Sequence, residues 1–215
     1  MDGVLFDTEK LYERFWCEAS EKFGFAMNTE DVAAIRSTDS KIAKRILKER
    51  LGEDFDYEGV KKLRIELMHR YTEAYGVELK PGTEEFLRDC KEKHYRIALA
   101  TTSNMERALD FLTKGGIREY FDEILTGDRV LKGKPDPEIY ERAAEGLRLS
   151  PMECYAVEDS FNGVRSAYSA GCRVIMVRDR DVPDSEMEQK TYKILPSLES
   201  FVLENAESIR IVDKN

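Results

Sequence analysis

Tyr95-Arg96-Ile97-Ala98-Leu99-Ala100-Thr101-Thr102-Ser103-Asn104 is the stretch on which the fold turns. Tyr95–Ala100 reads as a strand, and the polar residues after it open a helix near 105–115. The same order recurs along the chain. A helix at 83–93 precedes Tyr95–Ala100, and strands at Glu123–Thr126, Cys154–Val157 and Arg173–Val177 follow helices near 105–115, 137–147 and 162–170. Tyr192–Leu195, a short helix near 197–204 and an apolar end at Ile209–Val212 complete the pattern. Helices alternating with short, near-continuous apolar strands imply a doubly wound parallel sheet covered on both faces.

Upstream of Pro81-Gly82 the period changes. Leu11, Phe15, Trp16 and Ala19 mark one helix, and Ile42, Ala43, Ile46, Leu47 and Leu51 a second, with Gly52 behind it. Val60, Leu63, Leu67, Tyr71, Ala74 and Tyr75 mark a long third, ended by Gly76. Asp7, Asn28 and Asp39 suit helix N-caps. The expected organisation is an α/β core from residues 1–8 and 81–215, with an all-helical insertion at 9–80 hinged near Asp7-Thr8 and Lys80-Pro81-Gly82.

The chain has 215 residues with a net charge of -9 and 36% charged residues, a balance that disfavours a nucleic-acid partner. No apolar run is long enough to span a membrane, and the first residues do not resemble a secretory signal. Cys17, Cys90, Cys154 and Cys172 are too far apart for a zinc motif and read as reduced thiols of a cytoplasmic protein. His69 and His94 read as ordinary structural residues. A monomer is expected.

In a sheet of this kind, ligands bind beyond the carboxyl ends of the strands. Thr101, Thr102 and Ser103 follow the first strand and precede a helix, an arrangement that suits phosphate as well as simple capping. Lys134 sits in Gly133-Lys134-Pro135-Asp136-Pro137, where it either neutralises a phosphoryl oxygen or is merely solvated. Glu158-Asp159 follow Cys154–Val157; such a pair suits Mg2+ or is an exposed acidic cap. Met1-Asp2-Gly3 followed by an apolar stretch is by itself only a turn.

In this order, Asp2-Gly3, Thr101, Lys134 in GKPDP and Glu158-Asp159 resemble the motifs of the haloacid dehalogenase superfamily, specifically its beta-phosphoglucomutase-like and phosphatase branch. KPDPEIY and VEDSFNGVRSAYSAG are the most specific stretches, and the resemblance extends over essentially the whole chain, with 9–80 as a helical cap. It implies a Mg2+-dependent phosphatase of small phosphorylated metabolites that works through an aspartyl phosphate. Asp2 would be the general acid and base and would offer its carbonyl to Mg2+. Thr101, with Thr102 or Ser103, would hold the phosphoryl oxygens, and Lys134 would neutralise them. Asp159 would bind the metal, with Glu158 beside or behind it. The loop Ile35–Ser40 offers Arg36 to the substrate but departs from the loop expected of a mutase. This favours a phosphatase over a phosphohexomutase. A third reading is an inactive phosphate-binding module.

In the family the first motif reads Asp-x-Asp-Gly at the end of a strand. Asp2-Gly3 match its last two residues, so the nucleophile would immediately precede Met1, a position outside this sequence. The expectation is an upstream strand, ending in Asp, between the strands at 95–100 and 154–157. Burying about four apolar side chains there, at roughly 1.5–3 kcal/mol each, is worth about 6–12 kcal/mol. Without it those two strands should stand unpaired, about 10 Å apart across a slot, with Met1-Asp2 at its carboxyl end.

Overall fold

Four amphipathic helices follow the first turn of chain. In the computed structural model, which describes residues 1–35, 40–179 and 182–201, they are α1 (Thr8–Lys22), α2 (Thr29–Ile35), α3 (Ser40–Leu51) and α4 (Tyr57–Tyr75). Arg36 and Asp39 lie outside the described residues, as does the apolar end at Ile209–Val212. Asn28 caps α2 as expected, its Oδ1 accepting from the N–H groups of Glu30 and Asp31. Asp7 stands at the start of α1 without a side-chain cap bond and pairs with Lys10 at 2.5 Å. A cap not anticipated is Asp56, which accepts from the Gly59 N–H. Gly76 ends α4 with φ 73°, a backbone that glycine adopts without strain. Trp16, Ala19, Val32, Leu47 and Val60 form the centre of this helical core.

From Glu78 onward come α5 (Thr83–Glu92), β1 (Ala98–Thr101), α6 (Met105–Lys114), β2 (Glu123–Thr126), α7 (Glu138–Gly146), β3 (Tyr155–Glu158), α8 (Phe161–Ala170), β4 (Arg173–Val177), α9 (Ser185–Lys190) and β5 (Lys193–Leu195). The short α9 and the single 3-10 turns at Arg118–Tyr120, Gly127–Arg129 and Pro151–Glu153 were not anticipated. The chain divides into two compact units, one of Asp7–Val77 and one of Met1–Phe6 with the chain from Glu78 on. No helix among the described residues is long and apolar enough to cross a membrane.

Two strands begin later than their apolar runs. The Tyr95 N–H closes the end of α5 on Cys90 O, and the Ile97 N–H goes to the Asp122 carboxylate, so the β1 ladder starts at Ala98. β3 starts at Tyr155 and runs on through Glu158, which pairs with Met176.

Every strand pairing is parallel, as expected, but the sheet is in two parts. β1 pairs with β2, and β3 with β4, which in turn pairs with β5. β1 and β3 do not pair. Instead both line an apolar cavity of about 260 Å³, together with Met1, Val4 and Leu5. β1 and β3 are thus unpaired, as expected, and share a cavity. The segment Met1–Phe6 is anchored in the same unit: the Lys80 N–H and the Thr83 hydroxyl both donate to Leu5 O, and Phe6 packs edge-on against Phe111.

Candidate active site

The carboxyl ends of β1 and β3 carry the polar side chains. Thr101 ends β1 and is buried, its Oγ1 accepting from the Ser103 N–H at 3.2 Å. Asn104 then caps α6 by accepting from the Arg107 N–H. Gly127, just after β2, brings its backbone against this loop: its N–H donates to Ser103 O, and a Cβ there would meet Thr102 O at 2.5 Å. Thr101, Thr102 and Ser103 therefore form a short polar nest held by two strands.

Asp2 faces that nest. Arg107 grips its carboxylate with two nitrogens, at 2.6 Å to Oδ1 and 3.1 Å to Oδ2, and the Ser103 hydroxyl donates to Oδ2 at 3.3 Å. The guanidinium carbon lies over the Phe111 ring, 4.6 Å from its centre, a cation–π contact. The sequence reading missed Arg107. The available signal was its position one turn into the helix that the Thr101–Asn104 loop opens.

Lys134 is 11% exposed and ion-paired with Glu158, which is 6% exposed at its side chain. Lys134 Nζ also donates to Tyr140 Oη at 3.2 Å and to Ala100 O at 3.4 Å, tying α7 and β1 to β3. Tyr140 donates to the same Glu158 oxygen, and Ser160 Oγ and the Asp159 N–H reach the other at 3.3 Å. Burial alone would raise the Glu158 pKa, but Lys134 and the two hydrogen bonds outweigh it and hold it below the usual carboxylate range. Tyr140 moves the opposite way, well above the ordinary phenol value, through burial and the Glu158 charge. Its place in KPDPEIY was visible in the sequence; its role was not. Gly163 makes room for this arrangement, since a Cβ there would stand 2.0 Å from Glu158 Oε2.

Asp159 is left in a different state. Burial first, and then the neighbouring Glu158 carboxylate, raise its pKa to about 7. The chain crosses directly over it: Gly3 has φ +73°, and a Cβ there would meet Asp159 Oδ2 at 2.0 Å. Asp159, Glu158 and the Asp2 carbonyl are hard oxygen donors, and a buried pair of acids is a site that a divalent cation relieves. This donor set fits Mg2+, which binds few protein oxygens and keeps waters. Within the set Asp159 is the less engaged carboxylate, because Glu158 already accepts from Lys134, Tyr140, Ser160 and the Asp159 N–H.

The structure thus brings together Asp2, Thr101, Thr102, Ser103, Lys134, Glu158 and Asp159 in one unit, beyond the carboxyl ends of two strands. The profile of the haloacid dehalogenase-like hydrolases matches residues 1–177. The chain belongs to this family. A phosphorylated carbohydrates phosphatase from Thermotoga maritima is 35% identical to this hydrolase over 80% of its chain and 79% of the relative. Beta-phosphoglucomutase from Bacillus subtilis is 28% identical over 80% and 77%. Among solved structures, CbbY from Rhodobacter sphaeroides in complex with phosphate superposes with a TM-score of 0.70 at 25% identity, covering 92% of each chain. The family's Rossmann-like core with a helical cap is the architecture described above.

Proposed function

We propose that this hydrolase is a Mg2+-dependent phosphatase of small phosphorylated metabolites, acting through an aspartyl phosphate. The observation that carries the reading is the convergence of the Thr101–Ser103 nest, Lys134 and the Asp159–Glu158 pair around Asp2. Similarity to a phosphorylated carbohydrates phosphatase supports a phosphosugar as substrate.

The nest and Lys134 would hold the phosphoryl oxygens, where positioning and charge neutralisation do most of the work. Mg2+ would supply positive charge beside Asp159 and the Asp2 carbonyl. A carboxylate oxygen at the position immediately before Met1 would attack phosphorus while the ester P–O bond breaks. Asp2, protonated, would give its proton to the leaving oxygen. As carboxylate, it would then take a proton from the water whose oxygen attacks the acyl phosphate, releasing inorganic phosphate and regenerating the nucleophile. Arg107 holds both oxygens of the Asp2 carboxylate, so it would have to release one before Asp2 could give a proton to the leaving group.

The test is phosphate release from sugar, nucleotide and glycolytic phosphates in Mg2+, using the chain preceded by an apolar segment ending in Phe-Asp. Release that disappears in Asp2→Asn supports the reading. Release unchanged in Asp2→Asn contradicts it, and phosphate binding without any release favours the inactive binding module. Similarity to beta-phosphoglucomutase keeps a phosphohexomutase as the second reading. Conversion of one hexose phosphate isomer into another, in place of release, would establish it.

A further inference from the structure

Lys80 and Asp179 form an ion pair at 2.6 Å that no step above uses. Their side chains are 16% and 11% exposed, and they lie 99 residues apart in the sequence, both in the α/β unit. The Lys80 backbone is bound to the first turn of chain. Its N–H donates to Leu5 O at 2.8 Å, the Thr83 hydroxyl donates to the same oxygen, and Leu79 forms an antiparallel bridge with Phe6. That turn is closed on itself, with the Gly3 N–H on Phe6 O and the N–H groups of Leu5 and Phe6 on Met1 O. Gly3 of this turn is the residue that crosses Asp159. Asp179 follows β4 after Arg178. β4 pairs with β3 so that Met176 faces Glu158, and Asp159 and Asp179 therefore leave neighbouring strands at the same end of the sheet. After burial and Glu158, the Asp179 charge is a further cause of the raised Asp159 pKa.

We propose that Lys80 and Asp179 are a positioning pair, which holds the Met1–Phe6 turn in place over Asp159. Lys80 touches both sides of that junction: the turn through its N–H, and the chain beyond β4 through its ammonium. A buried ion pair is a weak source of stability, because desolvation offsets its attraction; what it fixes is which groups meet. Here it sets how the turn that carries the Asp2 carbonyl lies against the strand end that carries Asp159. Those are the oxygens assigned above to Mg2+, and a metal site keeps its affinity only while supporting groups hold its donors in place. Asp179 is engaged by Lys80 and is not counted among the ligands. The consequence for Mg2+ rests on the proposed function, whereas the tie itself does not.

The test is amide hydrogen exchange and Mn2+ binding on the full chain, comparing the parent with Lys80→Met and Lys80→Arg at a temperature where circular dichroism shows all three folded. Lys80→Met should speed exchange of the Gly3 and Leu5 N–H groups by about tenfold, the mark of local opening. It should also weaken Mn2+ binding by roughly tenfold, as loss of a supporting partner does. Lys80→Arg, which still pairs with a carboxylate, should stay within about twofold of the parent in both. The direction of the Mn2+ effect separates positioning from charge, because removing a positive charge near the metal would by itself tighten binding. Tighter Mn2+ binding in Lys80→Met overturns the proposal, and so does unchanged exchange. If Lys80→Met fails to fold, Asp179→Asn is read by exchange in the same way: faster supports the proposal and unchanged overturns it. Faster exchange in Lys80→Met, together with a parent chain that binds no Mn2+, supports the tie and contradicts the metal reading, so the two failures are distinguishable.

Discussion

Trp16 and Leu99 each lie at the heart of a unit, 1% and 4% exposed, but in different surroundings. Trp16 sits in the helical unit among Ala19, Val32, Leu47 and Val60, all closed from solvent, and its ring packs on Tyr12 and Tyr57. Leu99 lies in β1 on the wall of a 260 Å³ cavity. Helices satisfy their own backbone, so four of them close a core by side-chain packing alone. A strand pairs its backbone only through neighbours, and β1 and β3, which do not pair with each other, both line this cavity. The α/β unit compensates at its polar end, where Lys134, Glu158 and Tyr140 join β1, α7 and β3.

The contrast can be broken by truncation. Trp16→Ala should cost about 3–5 kcal/mol in urea unfolding, and Leu99→Ala only about 2 kcal/mol, the low end for such changes, because Leu99 already borders a void. Equal losses would remove the distinction between the two units.

The polar end can be tested by removing one partner. Lys134→Ala strands a buried carboxylate and should cost about 3–5 kcal/mol. Lys132→Ala, an exposed change, should stay within about 0.5 kcal/mol. If Lys132 proves the more damaging, Lys134 does not hold the two half-sheets together.

Thiol chemistry sharpens the picture of the slot. Cys90 lines the cavity, and its pKa is pushed up to about 11 by burial, with Asp89 adding to it. A raised pKa means less thiolate, so alkylation at pH 8.5 should run on the order of a hundredfold slower than for free cysteine. A free-thiol rate would show the slot to be open and wet.

The smallest effect has the opposite sign. Ala144→Leu adds carbons to a cavity wall and should stabilise by about 0.5–2 kcal/mol in the same unfolding assay. Destabilisation of about 1–3 kcal/mol, as expected of a filled core, would show that the void is not there to be filled.

The helices and strands were legible because their apolar spacing is local. Glu123–Thr126 and Arg173–Val177 are found where their sequences place them. The shift of β1 was not legible: it depends on Asp122 capturing the Ile97 N–H from 25 residues away. β3 takes in Glu158, a residue no strand pattern recommends, because Lys134 neutralises its charge and Tyr140 donates a hydrogen bond to it in the fold. Thr101, Lys134 and Asp159 could be singled out in the sequence as polar residues after apolar strands, whereas Asp2 read as a turn and was singled out only through the family resemblance. Arg107 was not, because its meaning lies in a partner 105 residues away.

The central claim is that the ends of β1 and β3 form one phosphoryl site. Anomalous diffraction from crystals grown with Mn2+, standing in for Mg2+, and tungstate, standing in for phosphate, tests it most directly. The account predicts manganese on the Asp159 carboxylate and the Asp2 carbonyl, and tungsten within hydrogen-bond reach of the Thr101–Ser103 loop and Lys134 Nζ. Manganese elsewhere with Asp159 turned to solvent, or tungsten only on surface lysines, would contradict it.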